Sequence, residues 1–260
     1  MSALVIAGLV GAVYLLPPDT SLALIRESGV LRTCVPPDYP PLVQNDPAAP
    51  GYDVELLTEI GRRLDLRVSF VGNAAMVRDF NPRSWGITRA QCQVLAGVVV
   101  SPTTLSFLDA SPPYLETGWA ILSPAPLETL SGQTIGVYAG LSGLDRLGLS
   151  AFLRGAGASA SIVTSPAALL AGIAEGRFTA GIAEALTAQT MGRTEDWTVA
   201  WIPEGPLRYA LALGLWKGDL TLKRAVTAVL EDLREEGFLD GLAEKYGIAD
   251  IEELELSGPV

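Results

Sequence analysis

Residues 94–114 read VLAGVVVSPTTLSFLDASPPY. The first seven form an unbroken apolar run rich in valine, the pattern of a strand buried on both faces of a parallel sheet. Upstream, residues 52–64 (YDVELLTEIGRRL) carry helical apolar spacing. They lie between strands expected at 29–35 and 66–71, after a proline-rich loop, PPDYPPL, at 36–42. A polar loop at 72–84 and a short helix at 87–92 lead back into the decisive strand. This alternation of strand, helix and strand predicts α/β layers with right-handed crossovers.

A second alternation begins after Pro126. LSGQTIGVYAG (130–140) reads as a strand entering a glycine-rich turn. A helix follows at 144–156, a strand at 161–163, a helix at 166–174 and a strand at 180–183. A last strand at 209–216 precedes a long helix at 220–236 and a shorter one at 239–246. The acidic tail, 248–260, is expected to be loosely held.

Composition narrows the chemistry. The chain has 260 residues, 49% hydrophobic and 18% charged, with 18 Lys+Arg against 29 Asp+Glu and a net charge of −11. An acidic chain without a basic run is a poor partner for nucleic acid, whose phosphates need Lys and Arg. Histidine is absent, which removes Ser–His and Cys–His catalysis and His-ligated metal sites. Two cysteines, Cys34 and Cys92, are too few for a thiolate cage. No catalytic residue, metal ligand or cofactor is therefore expected.

Residues 2–16, SALVIAGLVGAVYLL, are apolar and uncharged up to Pro17-Pro18. A secretory signal wants a basic start and a small-x-small cleavage site, and neither stands here. As a helix, residues 1–16 cover about 24 Å, short of a ~30 Å hydrocarbon core, a mismatch that thinning or helix packing absorbs. Ala7 and Gly11 share one face and permit close helix contact. The expectation is an uncleaved, single-pass membrane anchor over residues 1–17, the alternative being an uncleaved signal. The short linker 17–20 would hold the globular part against the outer face of the membrane. In an oxidising compartment a Cys34–Cys92 disulfide could persist, the other reading being two buried thiols.

Taken in order, the segments resemble the family 3 extracellular solute-binding proteins that serve ABC transporters. SLALIRESGVLRTCVPPDYPPL resembles the family's opening, and GYDVELLTEIGRRLDL its first helix. Residues 94–114 resemble the stretch in which the family writes A-G, an apolar segment, T-P-E-R and then D-F-S-x-P-Y. LSGQTIGVYAGLSG, AEGRFTAGIAE and LWKGDLTLKRAVTAVLEDLREEGFLDGLAEKYG resemble its later motifs. The likeness runs over residues 21–247. It implies a two-lobe, periplasmic-binding-protein-like (type II) α/β fold with a central cleft. Lobe 1 would hold residues 21–117 plus 212–247 and lobe 2 residues 118–211. Hinge closure would trap a small-molecule solute, with an ABC permease or another integral membrane complex as partner.

The resemblance also places the site. The family's carboxylate-binding arginine falls on Thr104, which offers one neutral hydrogen bond in place of a bidentate guanidinium. The neighbouring threonine becomes Val99. Gly97 keeps the A-G turn, and Gly140-Leu141-Ser142 replaces G-T-T, leaving Ser142 as its hydroxyl. The amine-binding aspartate falls on Glu184, and Tyr39 and Trp85 stand where aromatic walls belong. These departures make a standard α-amino acid a poor ligand and favour a small polar or cationic solute. The alternative is an accessory subunit of a membrane complex whose ligand site has degenerated.

Overall fold

The computed structural model describes residues 19–77, 81–138, 144–202, 208–252 and 254. Helix α1 (Ser21–Ser28) leads into β1 (Val30–Val35), α2 (Tyr52–Arg63) and β2 (Arg67–Gly72). After two short 3₁₀ turns come β3 (Val94–Val99), a one-turn helix α3 (Pro102–Leu105), β4 (Leu108–Ala110) and the long β5 (Leu115–Ser123). The second half runs β6 (Thr134–Tyr138), α4 (Arg146–Gly155), β7 (Ser159–Val163), α5 (Pro166–Ala174), β8 (Ala180–Glu184), α6 (Ala185–Glu195) and β9 (Thr198–Trp201). The chain ends with β10 (Arg208–Trp216), α7 (Leu220–Glu235) and α8 (Phe238–Tyr246).

The strands form one continuous path, β2-β1-β3-β10-β5-β8-β6-β7, with β4 on β10 and β9 on β5. Lobe 1 is parallel at β2-β1-β3, and lobe 2 is parallel at β7-β6-β8. The lobes meet along two antiparallel strands. β5 pairs with β10 as far as Gly118, then takes up β8 at Trp119 and β9 at Ala120. A strand shared in this way is continuous backbone, so it permits rotation of one lobe against the other without unpairing either.

Side-chain alternation decides which face each core occupies. In lobe 1, Leu31 and Val35 of β1 face α2, α7 and α8, meeting Leu56, Ile60, Val226 and Leu230. Cys34 faces the other way, into a cluster with Cys92, Trp85, Leu95 and Trp216. Helix α7 buries Leu222, Val226, Val229, Leu230 and Leu233, the stripe that its sequence spacing predicts. In lobe 2, Ile135 and Val137 meet α4 on one face, while Ala120 and Leu122 meet α5 and α6 on the other.

Cys34 and Cys92 are joined in a disulfide. The expected helix at 87–92 does not form. Thr88 and Gln91 close a turn there, the Gln91 side chain accepting from the Thr88 amide at 2.9 Å and its backbone amide donating to Thr88 O at 3.0 Å. Six residues seldom nucleate a helix without help, and the disulfide fixes the end of the segment instead. The tail departs from expectation as well: Ala249, Glu252 and Leu254 are hydrogen-bonded to lobe 2. The anchor expected over residues 1–17 lies outside the described residues. Among the described residues no helix is long and apolar enough to cross a membrane.

Candidate functional site

The β1–α2 loop carries Tyr39 across to lobe 2. A tight backbone turn holds it: the Tyr39 amide donates to Val43 O at 2.8 Å, and the Leu42 and Val43 amides donate back to Tyr39 O at 2.9 Å. The Glu184 carboxylate and the Thr187 side chain of lobe 2 stand beside its phenol. Burial, with the Glu184 carboxylate beside it, holds the phenol well above the usual tyrosine range.

Glu184 ends β8 and caps α6. Its oxygens accept from the amides of Leu186 (3.1 Å) and Thr187 (3.0 Å), from the Thr187 hydroxyl (3.0 Å) and from the Thr117 hydroxyl on β5. The carboxylate is only 6% exposed, and a buried charge persists only where hydrogen bonds replace water. One side chain therefore joins the hinge strand to the α6 N-terminus and stands beside the Tyr39 loop of the opposite lobe. Leu186, one helical step on, packs into the lobe 1 core. The structure thus holds the lobes in contact at this point.

Behind the Tyr39 loop lies a second polar cluster. The Tyr114 hydroxyl donates to Asp53 Oδ1 at 2.8 Å and accepts from the Gly97 amide at 3.1 Å. Gly97 adopts φ +58°, and a Cβ added there would lie 3.3 Å from Asp53 Oδ2. That close approach in a left-handed conformation explains the glycine. Asp53 Oδ2 is buried and, with Thr33 Oγ1, lacks a hydrogen-bond partner among the described residues. Burial outweighs the Tyr114 hydrogen bond and raises the Asp53 carboxyl to about 7. Tyr114 is itself pushed well above its ordinary range by burial and by the adjoining Asp53.

The other expected positions divide. Thr104 is 1% exposed and turned into its own helix start, where Ser101 Oγ donates to Thr104 Oγ1 at 3.1 Å and accepts from its amide at 3.2 Å. That hydroxyl serves the α3 cap. Trp85, expected as a cleft wall, is a core residue instead. It packs with Cys34, Cys92 and Trp216 on the sheet face away from the Tyr39 cluster. Ser142 lies outside the described residues. Tyr39 and Glu184 are brought together, and Gly97 lies behind them with Tyr114 and Asp53. Sequence reasoning missed Thr117, Thr187, Tyr114 and Asp53. For Asp53 a signal existed, a carboxylate inside the apolar stripe of 52–64. For Thr117 none did. Among the described residues no cluster of acidic or cysteine side chains is arranged to hold a metal ion.

Comparison with known proteins bears on this geometry. The profile of bacterial extracellular solute-binding proteins, family 3, matches residues 31–249. No curated protein matches. Among solved structures, a mutant of the arginine-binding protein ArgBP from T. maritima is 21% identical, with a TM-score of 0.62, covering 88% of this chain and 100% of that one. An ancestral amino acid-binding protein, a precursor of cyclohexadienyl dehydratase, is 20% identical with a TM-score of 0.65, covering 87% and 99%. A substrate-binding protein of an ABC uptake transporter from Streptococcus pneumoniae, with bound histidine, is 16% identical with a TM-score of 0.67, covering 90% and 98%. Such identities speak for the two-lobe fold alone. With its profile match over residues 31–249, the chain belongs to the family 3 bacterial extracellular solute-binding proteins.

Proposed function

We propose that the chain captures a small polar or cationic solute between its lobes on the extracytoplasmic side and presents it to an ABC permease, without a catalytic step of its own. The observation that carries this reading is the polar contact across the lobes, in which Tyr39 meets Glu184 and Thr187. A ligand ammonium or hydroxyl would take the place of the Tyr39 phenol on Glu184, and Gly97 would offer backbone beside it. Structural neighbours crystallised with L-arginine or histidine lend support to a nitrogenous solute. The loss of a guanidinium at Thr104 argues against a ligand whose carboxylate must be held bidentately. Residues 1–17 would tether the module to the membrane. The test is thermal unfolding of the 19–260 chain against amino acids, polyamines and quaternary amines. A ligand that binds only the folded state raises Tm with concentration. No shift from any of them refutes the reading.

A second reading has its own observation. Glu184 already accepts from four donors of its own chain, with the Tyr39 phenol beside it, and Thr104 serves a helix cap. A site so occupied suits an accessory subunit that keeps the fold and docks on a membrane complex. Gentle detergent extraction with mass spectrometry of co-purifying chains separates the two. A stoichiometric complex without transporter components favours the accessory role. A lone monomer, or one travelling with a permease, removes it.

A further inference from the structure

The end of the lobe 1 sheet where β1 and β3 begin has no part in the site, which lies past their carboxyl ends. Asp19 stands here and is fixed to the body. Its Oδ1 accepts from the Ser21 amide at 2.8 Å and its Oδ2 from the Thr221 amide at 2.5 Å, and Ser21 Oγ lies 3.0 Å from Thr221 Oγ1. The starts of α1 and α7 are thereby joined. Only Pro17-Pro18 separates this junction from the apolar run 2–16, and a proline pair adds little reach.

Two leucines stand out of the surface beside the junction: Leu24 of α1, 60% exposed, and Leu220, the first residue of α7, 47% exposed. Leu24 and Ile25 line a hollow of about 520 Å³ that Arg32 and Arg89 also line. Cations continue along the same end of the sheet. Arg89 donates to Lys217 O at 2.8 Å. The Arg67 amide donates to Gly29 O at 3.0 Å, just past Arg26 in the last turn of α1. All five of these cations are exposed, and Arg26, Arg32, Arg67 and Lys217 make no ion pair among the described residues. Four carboxylates share this end. Asp19 is engaged by amides and Asp219 by Arg89 at 3.3 Å, which leaves Glu27 and Asp65. The end thus carries an excess of positive charge on a chain of net charge −11.

We propose that this end of lobe 1 is a membrane-contact surface that rests on anionic phospholipid headgroups, its cations meeting phosphates while Leu24 and Leu220 reach toward the acyl boundary. The inference rests on the reading above in one respect, that residues 1–17 bring the chain to a bilayer. A tether alone leaves the body free to tumble. Cations are drawn to an anionic leaflet only within about a Debye length, and the short linker holds these within that range. The rest of the chain, being acidic, is repelled, so the same field selects which end faces down. Apolar side chains among cations are the composition that suits an interfacial contact. Since β1 runs six residues from this end toward the cleft, the Tyr39–Glu184 region would stand about 20 Å above the headgroups.

The test uses the full chain reconstituted into vesicles of phosphatylcholine alone or mixed with phosphatidylglycerol, both carrying a nitroxide on a fraction of the headgroups. An environment-sensitive fluorophore is placed on Leu24→Cys, on Leu220→Cys or, in lobe 2, on Ile162→Cys, a position 69% exposed. Cys34 and Cys92, being bonded to each other, take no label. In the anionic vesicles the labels at 24 and 220 should shift to the blue and be quenched by the nitroxide, while the label at 162 is unaffected. Arg32→Gln, Arg67→Gln and Lys217→Gln combined should lower the ratio of docked to undocked chain about a hundredfold. Raising the salt to about 0.5 M should release the unmutated surface too, which keeps the test standing if the variant fails to fold. Equal signals in the two lipid mixtures would mean that a second copy or residues 1–18 cover the leucines, and would overturn the proposal. So would an equal signal at 162, or none at 24 and 220. That failure leaves solute capture standing, because the cleft lies at the other end of the strands, and a failed solute search leaves the lipid result.

Discussion

Replacing Asp53 with asparagine should flatten the dependence of stability on pH. Asp53 is fully buried, one of its oxygens has no partner among the described residues, and its carboxyl is raised from 3.8 to about 7. The sign follows from linkage. Below pH 3.8 the group is protonated in both the folded and the unfolded chain. Between 3.8 and about 7 the unfolded chain releases the proton and the folded chain keeps it, so stability falls as pH rises. At about 1.4 kcal/mol per pH unit, the whole window is worth about 4 kcal/mol, and its portion above pH 5 about 3 kcal/mol. Glu55 and Glu59 are held below their ordinary range, so their contributions are complete above it and do not change between pH 5 and pH 8. Asp219 is raised by burial and acts in the same direction as Asp53, but it is common to both proteins and cancels in the difference. Asparagine keeps an acceptor for the Tyr114 hydroxyl and removes the titration. Its unpartnered amide costs the same at every pH. Urea unfolding followed by tryptophan fluorescence at pH 5, 6, 7 and 8 reads the result. The variant should gain about 3 kcal/mol on the wild type from pH 5 to pH 8. Parallel curves would mean that Asp53 is already ionised at pH 5 in the folded chain, and the burial argument would be wrong.

Other changes test other parts of the structure. Glu184→Ala removes the α6 cap and strands the Thr117 hydroxyl, so urea unfolding should show a loss of about 2–4 kcal/mol. Glu184→Gln, which keeps one acceptor, should lose less. Replacing both Cys34 and Cys92 with alanine opens a loop whose ends are 58 residues apart, and the unfolding free energy should drop by about 4 kcal/mol on the chain-entropy estimate. Gly97→Ala meets both a left-handed φ and the nearby Asp53 oxygen; a loss of about 1–2 kcal/mol by calorimetry is expected, and no loss would remove the account of that glycine.

What the sequence disclosed, and what it withheld, follows from where the information sits. The run at 94–100 and the stripe Leu222, Val226, Val229, Leu230, Leu233 are written in side chains with the right period, and both appear as β3 and α7. Helix α6 escaped notice because ALTAQTMGRTE has no clean apolar stripe. Its start is fixed instead by Glu184, itself held by Thr117 from a strand 67 positions away. Trp85 suggested a cleft wall by type and approximate alignment, but the Cys34–Cys92 bond gathers it into the opposite core. The docking of the tail was invisible for another reason. It rests largely on backbone atoms, Glu252 O and Leu254 N on Trp201, which no residue pattern encodes. At the candidate site, Tyr39 sits in a loop of one lobe and Glu184 at a strand end of the other, so the types could be named but not their meeting.

Calorimetric titration of the 19–260 chain and of Glu184→Gln, with whichever cationic or polar solute first raises Tm, addresses the central claim most directly. Saturable one-to-one binding to the wild type is expected, with a loss of about tenfold or more in the variant, in which an amide replaces the carboxylate at a buried contact. Equal binding by both proteins would contradict the assignment of Glu184, and absence of binding by any solute would contradict the capture role itself.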